Sequence, residues 1–362
     1  EKLGIVYTPI EVVDFIVHSV NDILKQEFGQ TLGSEGVHII DPFTGTGTFV
    51  TRLLQSGLID AEQLEHKFKN EIHANEIVLL AYYIAAINIE ATYHGLSGND
   101  YTPFTGICLT DTFEMYESDD MVAALMADNS ERRNRQKALD IRVIIGNPPY
   151  NIANTGVIYK DLNQRIADTY AAKTTATNKN SLYDSYVQAI RWASDRIGES
   201  GVVGFVTNGN WIAGGAMDGM RKCLEEEFSS IYVFNARGNA RTSGEQRRME
   251  SGNVFGAGSR APVAISLLVK NPDSAQNGQI KYFDIGDYLT REQKLEKIKA
   301  FCSIEGVTDA GLWEQIEADE HNDWINQRDN SFDEHLLIGD KKSKSSEVLF
   351  ANYTSGVKTQ RD

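Results

Sequence analysis

Apolar residues fall into two kinds of run along this chain. The first kind has helical spacing. Ile10, Val13, Ile16, Val17, Val20, Ile23 and Leu24 recur at intervals of three and four, the period of a helix buried along one face. Pro9 stands where a first-turn proline is favoured, with Thr8 as the expected cap. The second kind is short: Val37 to Asp41, Gly106 to Leu109, Ile141 to Ile145, Val202 to Thr207 and Ile231 to Phe234, with the more polar Ile72 to Glu76 between the first two. These read as strands. Helical patterns separate them at Thr48 to Leu54, Ile77 to about Tyr93, 118–139, Leu182 to Ile197 and Met217 to Phe228. Such alternation over residues 37–235 predicts an α/β fold with a doubly wound, mostly parallel sheet. Val263 to Val269 follows a loop and not a helix, so this last strand of the core is expected to pair antiparallel. Ile280 to Ile285 is a further candidate strand. The expected layout is a unit over 1–290, with a helix at 9–28 and a core at 37–270, then an extension over 291–362. Residues 151–180 lack an apolar period and read as a long polar loop.

Composition narrows the class. The chain has 362 residues, 41% hydrophobic and 24% charged, ordinary values for a globular protein. No apolar run reaches the length of a membrane span, and no signal peptide is evident. The first residue is Glu1 and the last four are Thr359-Gln360-Arg361-Asp362; a piece of a longer protein is expected. Cys108, Cys223 and Cys302 lie far apart, which gives neither a zinc pattern nor a disulfide framework. Buried thiols in a reducing cytoplasm and no bound metal are expected. A net charge of −16 weighs against nucleic acid. The distribution of charge weakens that exclusion, because residues 301–340 hold eleven acids and one base, whereas 236–261 hold Arg237, Arg241, Arg247, Arg248 and Arg260 against two glutamates.

Candidate chemistry clusters at the strand ends. Asp41-Pro42-Phe43-Thr44-Gly45-Thr46-Gly47 follows the first strand. Its glycines let the backbone approach a ligand. Position 50 is Val50, so the third glycine of a dinucleotide fingerprint is missing, and no Gly-Lys-Ser/Thr makes a P-loop. An acid ahead of the turn suits a cation, such as the sulfonium or ammonium of S-adenosylmethionine. A plain β–α turn is the alternative. Glu76 ends the second strand, where an acid can accept from ribose hydroxyls. Asp111 follows the third strand, placed to accept from an adenine amino group or to serve as a turn Asp. The fourth strand ends in Gly146-Asn147-Pro148-Pro149-Tyr150. Two prolines make that turn stiff and extended. It either holds a planar nitrogen at the strand end or simply ends the strand over a buried Tyr.

In this order, Tyr7-Thr8-Pro9, Asp41 to Gly47 and Asn147 to Tyr150 resemble the γ class of adenine-N6 DNA methyltransferases. The likeness covers roughly residues 4–270 and is strongest to the methyltransferase region of single-chain (type ISP) restriction-modification enzymes. There a nuclease and helicase precede this region and a target-recognition domain follows. The resemblance implies S-adenosylmethionine as cofactor and duplex DNA as partner. Tyr7, Thr8 and Pro9 would line its methionine end; Asp41, Pro42, Thr44, Gly45 and Gly47 would hold the methionine part. Glu76 would hold the ribose, and Asp111 with Phe113 the adenine. Asn147 and Pro148 would accept from the target amino group, with Pro149 stiffening the turn. Tyr150 and Phe255 would take the two faces of an extruded base, and the five arginines would meet phosphates. Methylation of a protein glutamine amide or an RNA base, or a non-catalytic DNA-coupling module, are the competing expectations.

Overall fold

The computed structural model describes residues 7–98, 100–114, 127–150, 159–328, 335–336, 338 and 348–350. The strands are β1 (His38–Asp41), β2 (Ile72–Glu76), β3 (Ile107–Leu109), β4 (Ile141–Gly146), β5 (Gly201–Asn208), β6 (Ser230–Arg237), β7 (Val263–Lys270), β8 (Gln279–Asp284) and β9 (Glu314–Ile316). They form one sheet in the order β3-β2-β1-β4-β5-β7-β6-β8-β9. Strands β1 to β5 pair parallel, and β7 pairs antiparallel with both β5 and β6. The expected doubly wound sheet and its antiparallel strand are therefore present, and β8 and β9 extend the same sheet.

The helices are α1 (Ile10–Phe28), α2 (Thr48–Gln55), α3 (Ala61–His66), α4 (Leu79–Ser97), α5 (Ala127–Lys137), α6 (Lys160–Asp168), α7 (Tyr170–Lys173), α8 (Ser185–Arg196), α9 (Asp218–Glu227), α10 (Gly244–Glu250), α11 (Arg291–Phe301) and α12 (Ile304–Asp309). Successive strand residues face opposite sides. Ile39, Val143, Ile145, Val202 and Val206 pack with α1, α2, α4, α11 and α12, whereas Ile40, Ile144, Val203 and Phe205 pack with α6 to α9. Both faces are covered, which is why these strands read as near-continuous apolar runs.

Two expectations are corrected. Residues 160–173 are not a structureless loop but hold α6 and α7; Leu162, Ile166 and Tyr170, spaced by four, are buried. Their stripe is one residue wide, too sparse to stand out among Asn, Thr and Lys. Residues 151–158 lie outside the described part. Thr8 does not cap α1, because Pro9 occupies the N-cap with no side-chain hydrogen bond. The main compact unit ends at Ile325 and includes the stretch 291–325. Within it Ile298 and Val307 join the core, and Arg221 of α9 binds Asp323 at 2.6 Å.

Candidate active site

Strand order reverses between β1 and β4. The loops that follow them leave neighbouring strands at the carboxyl edge of the sheet, the place where open α/β sheets take ligands. Asp41 closes β1 at this point. It is buried, its Oδ1 accepts from the Phe43 amide at 3.0 Å, and its Oδ2 is buried without a partner among the described residues. Burial pushes its carboxyl up to about 8; the Phe43 N–H pulls the other way, and the charge of Glu76 adds to the rise.

The turn after Asp41 is closed internally. Thr44 Oγ1 donates to the Asp41 carbonyl at 2.9 Å, and the Gly47 amide donates to the Thr44 carbonyl at 2.9 Å. Gly47 has φ +89°, and a Cβ there would meet Ile89 of α4 at 3.2 Å. Only glycine suits both conditions. The Gly45 amide donates to Glu76 Oε2 at 2.7 Å and the Val78 amide to Oε1 at 2.7 Å. Glu76 thus braces the glycine turn. Burial raises its pKa and these N–H groups oppose the rise, and each carboxylate oxygen keeps a second lone pair for a ligand.

Asp111 adopts the turn role weighed in the sequence: its Oδ1 accepts from the Phe113 amide at 2.9 Å, and its Oδ2 accepts from the Tyr159 hydroxyl at 3.0 Å. Phe113 is a core residue, edge-on to Phe43 and Tyr159. Pro42 is held by its carbonyl, which accepts from Thr112 Oγ1 at 2.6 Å. Tyr7 is exposed.

At the end of β4, Asn147 Nδ2 donates to Thr8 Oγ1 at 3.0 Å, whereas Asn147 Oδ1 is buried with no partner. Asp41 at the end of β1 and Asn147 just after β4 therefore each hold a buried oxygen without a partner among the described residues. Gly146 brings these strand ends together: a Cβ on it would lie 2.9 Å from Asp41 Oδ1. Pro148 is buried. Tyr150 packs on both halves of the core and its hydroxyl donates to the Val206 carbonyl at 3.3 Å. Burial raises the pKa of that hydroxyl.

The chain that carries these strand-end residues matches the N-6 DNA methylase family over residues 1–231. It belongs to that family. No curated protein matches it. Three solved structures are similar. One is a nuclease-deletion mutant of the Type ISP restriction-modification enzyme LlaGI in complex with a DNA substrate mimic, with 49% identity and a TM-score of 0.87 over 93% of this chain. A second is the ATP-dependent Type ISP restriction-modification enzyme LlaBIII bound to DNA, with 48% identity and 0.89 over 96%. The third is a DrdV–DNA complex, with 39% identity and 0.86 over 92%. This methylase chain spans only 28%, 24% and 33% of those chains, respectively.

The methylase fold does not unite every residue singled out in the sequence. Phe255 is buried and meets Tyr150 edge-on, with centroids 6.0 Å apart and planes at 81°. The perpendicular rings leave no slot for a base between them. Arg237 is bound to Asp284 at 2.5 Å and also pairs with Asp287. Its bonds draw its charge inward, so it is not an open phosphate contact. Arg247 donates to the Ser251 carbonyl at 2.7 Å. Arg241, Arg248 and Arg260 are exposed, and Arg248 pairs with Glu245 at 3.2 Å. The 236–261 stretch is also more ordered than its composition suggests. Asn253 Nδ2 donates to the carbonyls of Gly238 and Ala261, and buried Lys294 donates to those of Ala236 and Glu250.

Sequence reasoning passed over Gly146, Asn75 and Thr112. Asn75 Nδ2 donates to Thr112 Oγ1 at 3.3 Å, while the Asn75 carbonyl accepts from the Thr44 amide at 3.0 Å. The signal was available: a buried amide in a short strand, and a glycine ending a β-branched strand.

Proposed function

We propose that this chain transfers a methyl group from S-adenosylmethionine to the N6 amino nitrogen of an adenine extruded from duplex DNA, within a longer restriction-modification protein. The observation that carries the reading is a pair of buried side-chain oxygens without a partner among the described residues, Asp41 Oδ2 at the end of β1 and Asn147 Oδ1 just after β4, two strands that pair with each other. Buried polar atoms are almost always satisfied, so two at one edge of the sheet point to ligands that bond them.

The cofactor fits the first of them. A carboxyl held up to about 8 by burial is stabilised in its charged form by an adjacent cation. Asp41 would hold the ammonium end, the Gly45–Gly47 turn would lie against the methionine part, and Glu76 would accept from the ribose. When bound, S-adenosylmethionine supplies an electrophilic methyl on a sulfonium.

The second acceptor fits an amino group. The lone pair of the adenine amine is delocalised into the ring. Asn147 Oδ1 and the Pro148 carbonyl would each accept one of its N–H bonds, drawing the nitrogen toward tetrahedral geometry and freeing the lone pair. The freed lone pair would then take the methyl, the S–C electron pair staying on the sulfur of the departing neutral thioether, and the nitrogen would pass its extra proton to water. Asn is not a base, so the rate gain comes from positioning and from dipoles aimed at positive charge developing on nitrogen. Tyr150 would stack on the base once Phe255 moves off its edge.

Incubation with methyl-tritiated S-adenosylmethionine and duplex DNA tests this directly. Label is expected in N6-methyladenine, lost in Asn147→Ala with cofactor binding retained. Label found only in protein or RNA would overturn the reading.

A further inference from the structure

Residues 238–262 connect β6 to β7 as an arm, and Phe255 stands near its returning end. Apolar packing does not hold the outward limb: α10 buries no side chain. Polar bonds hold it instead. Each runs from a nitrogen that only donates to a backbone carbonyl that only accepts, so the direction of every bond is fixed.

Within the arm, Asn253 Nδ2 donates to the carbonyls of Gly238 at 3.0 Å and Ala261 at 2.8 Å, while its Oδ1 accepts from the Phe255 amide at 2.9 Å. These three bonds agree on one orientation of the amide and tie the backbone at Phe255 to both ends of the arm. Two cations reach the arm from α11. Lys294 Nζ donates to the carbonyls of Ala236 at 3.0 Å and Glu250 at 2.9 Å, which draws the end of α10 back to the end of β6. Arg291 Nε donates to the Val254 carbonyl at 3.0 Å, one residue before Phe255. The contact is close: a Cβ on Gly252 would lie 2.3 Å from the Arg291 amide nitrogen. Lys294 is fully buried, and burial lowers its pKa to about 8. A buried ammonium is costly unless its hydrogens are bonded, and here the arm's carbonyls bond them.

We propose that Lys294 and Arg291 are positioning residues for Phe255, holding the arm from α11 so that this ring stands at Tyr150 as the second wall for an extruded base. The two ring centroids lie 6.0 Å apart. The proposal rests on the methyl-transfer reading.

Arg291→Ala and Lys294→Met, made in the full-length protein, remove the two donors. The kcat for methyl transfer should fall about 3- to 10-fold in the first and about 10- to 100-fold in the second, as small misplacements of reacting groups do, with the Kd for S-adenosylmethionine within about twofold. If Lys294→Met does not fold, Arg291→Ala carries the test, because the Arg291 side chain is 40% exposed. Action through Phe255 has a signature that a purely structural role lacks. In a Phe255→Ala background, either substitution should lower kcat by less than about twofold more, since coupled residues are not additive. The full loss persisting in that background would overturn the proposal. So would a kcat that does not fall in Arg291→Ala, or a cofactor Kd that weakens in step with kcat. A second readout needs no turnover. With 4-fluorophenylalanine at position 255, the fluorine resonance should move toward that of an exposed ring in Arg291→Ala; an unmoved resonance there would also overturn the proposal. Wild-type protein that methylates no DNA would sink the methyl-transfer reading instead, and the fluorine spectra would still judge the placement of Phe255.

Discussion

Gly146 and Asp41 meet so closely that a single added carbon would collide: a Cβ on residue 146 would stand 2.9 Å from Asp41 Oδ1. Pro42 and Phe205 close the same space from 3.7 Å. The carboxyl that ends β1 can therefore lie against the end of β4 only because β4 ends in glycine. Gly146→Ala should push the Asp41 carboxyl off its place while leaving the strand paired. Weaker S-adenosylmethionine binding, by about tenfold or more, is expected by calorimetry, with an overpacking loss of stability of about 1–3 kcal/mol. Wild-type cofactor affinity in this variant would count against a cofactor role for Asp41.

Asp41 also predicts a pH dependence. Its pKa is raised by burial from an ordinary 3.8 to about 8, so the folded protein holds a proton there that the unfolded chain releases. Stability from this group is full below pH 3.8 and is lost as pH rises toward about 8. A bound cation reverses the balance. Binding near pH 7 should release a proton, and affinity should rise with pH between about 6 and 7.5, by at most about tenfold per unit. Calorimetry in two buffers of unlike ionisation heat would detect the proton. In Asp41→Asn the release should vanish and the stability slope flatten.

The arginines divide by their bonds. Arg237 is tied to Asp284 and Asp287, so Arg237→Ala should lower the urea midpoint, by about 1–3 kcal/mol in stability. Arg241 and Arg260 are exposed. Replacing either by Ala should leave stability within about 0.5 kcal/mol and lower the salt dependence of DNA binding by about one ion. Binding that falls most in Arg237→Ala, at unchanged stability, would reverse this assignment.

Tyr150 carries packing and chemistry in different atoms. Its hydroxyl bond to Val206 is long, at 3.3 Å, and its ring packs on both halves of the core. Tyr150→Phe should keep stability within about 1 kcal/mol and retain most methyl transfer, because the stacking face survives. Tyr150→Ala should cost about 3–5 kcal/mol and most of the activity. Equal loss of activity in both variants would mean that the hydroxyl, and not the ring, is used.

Local chemistry accounts for what was legible in the sequence. Strands β1, β4 and β5 were readable because both faces of the sheet are covered there, so they read as short apolar runs. Asp41, Gly45, Gly47, Glu76 and Asn147 were readable because a turn at a strand end needs particular residue types within a few positions. Contacts between distant segments were not written in that local pattern. Nothing around Thr8 says that its hydroxyl meets Asn147, since the bond exists only once α1 lies across the sheet and brings residue 8 to the end of β4. The pairing of Arg237 with two acids some 50 positions later likewise depended on β8 docking beside β6. The chain's own pattern determined the alternation of strands and helices and the chemical types at each strand end. Tertiary packing decided which of those groups touch, because a hydrogen bond depends on ångström distances that only the folded sheet sets.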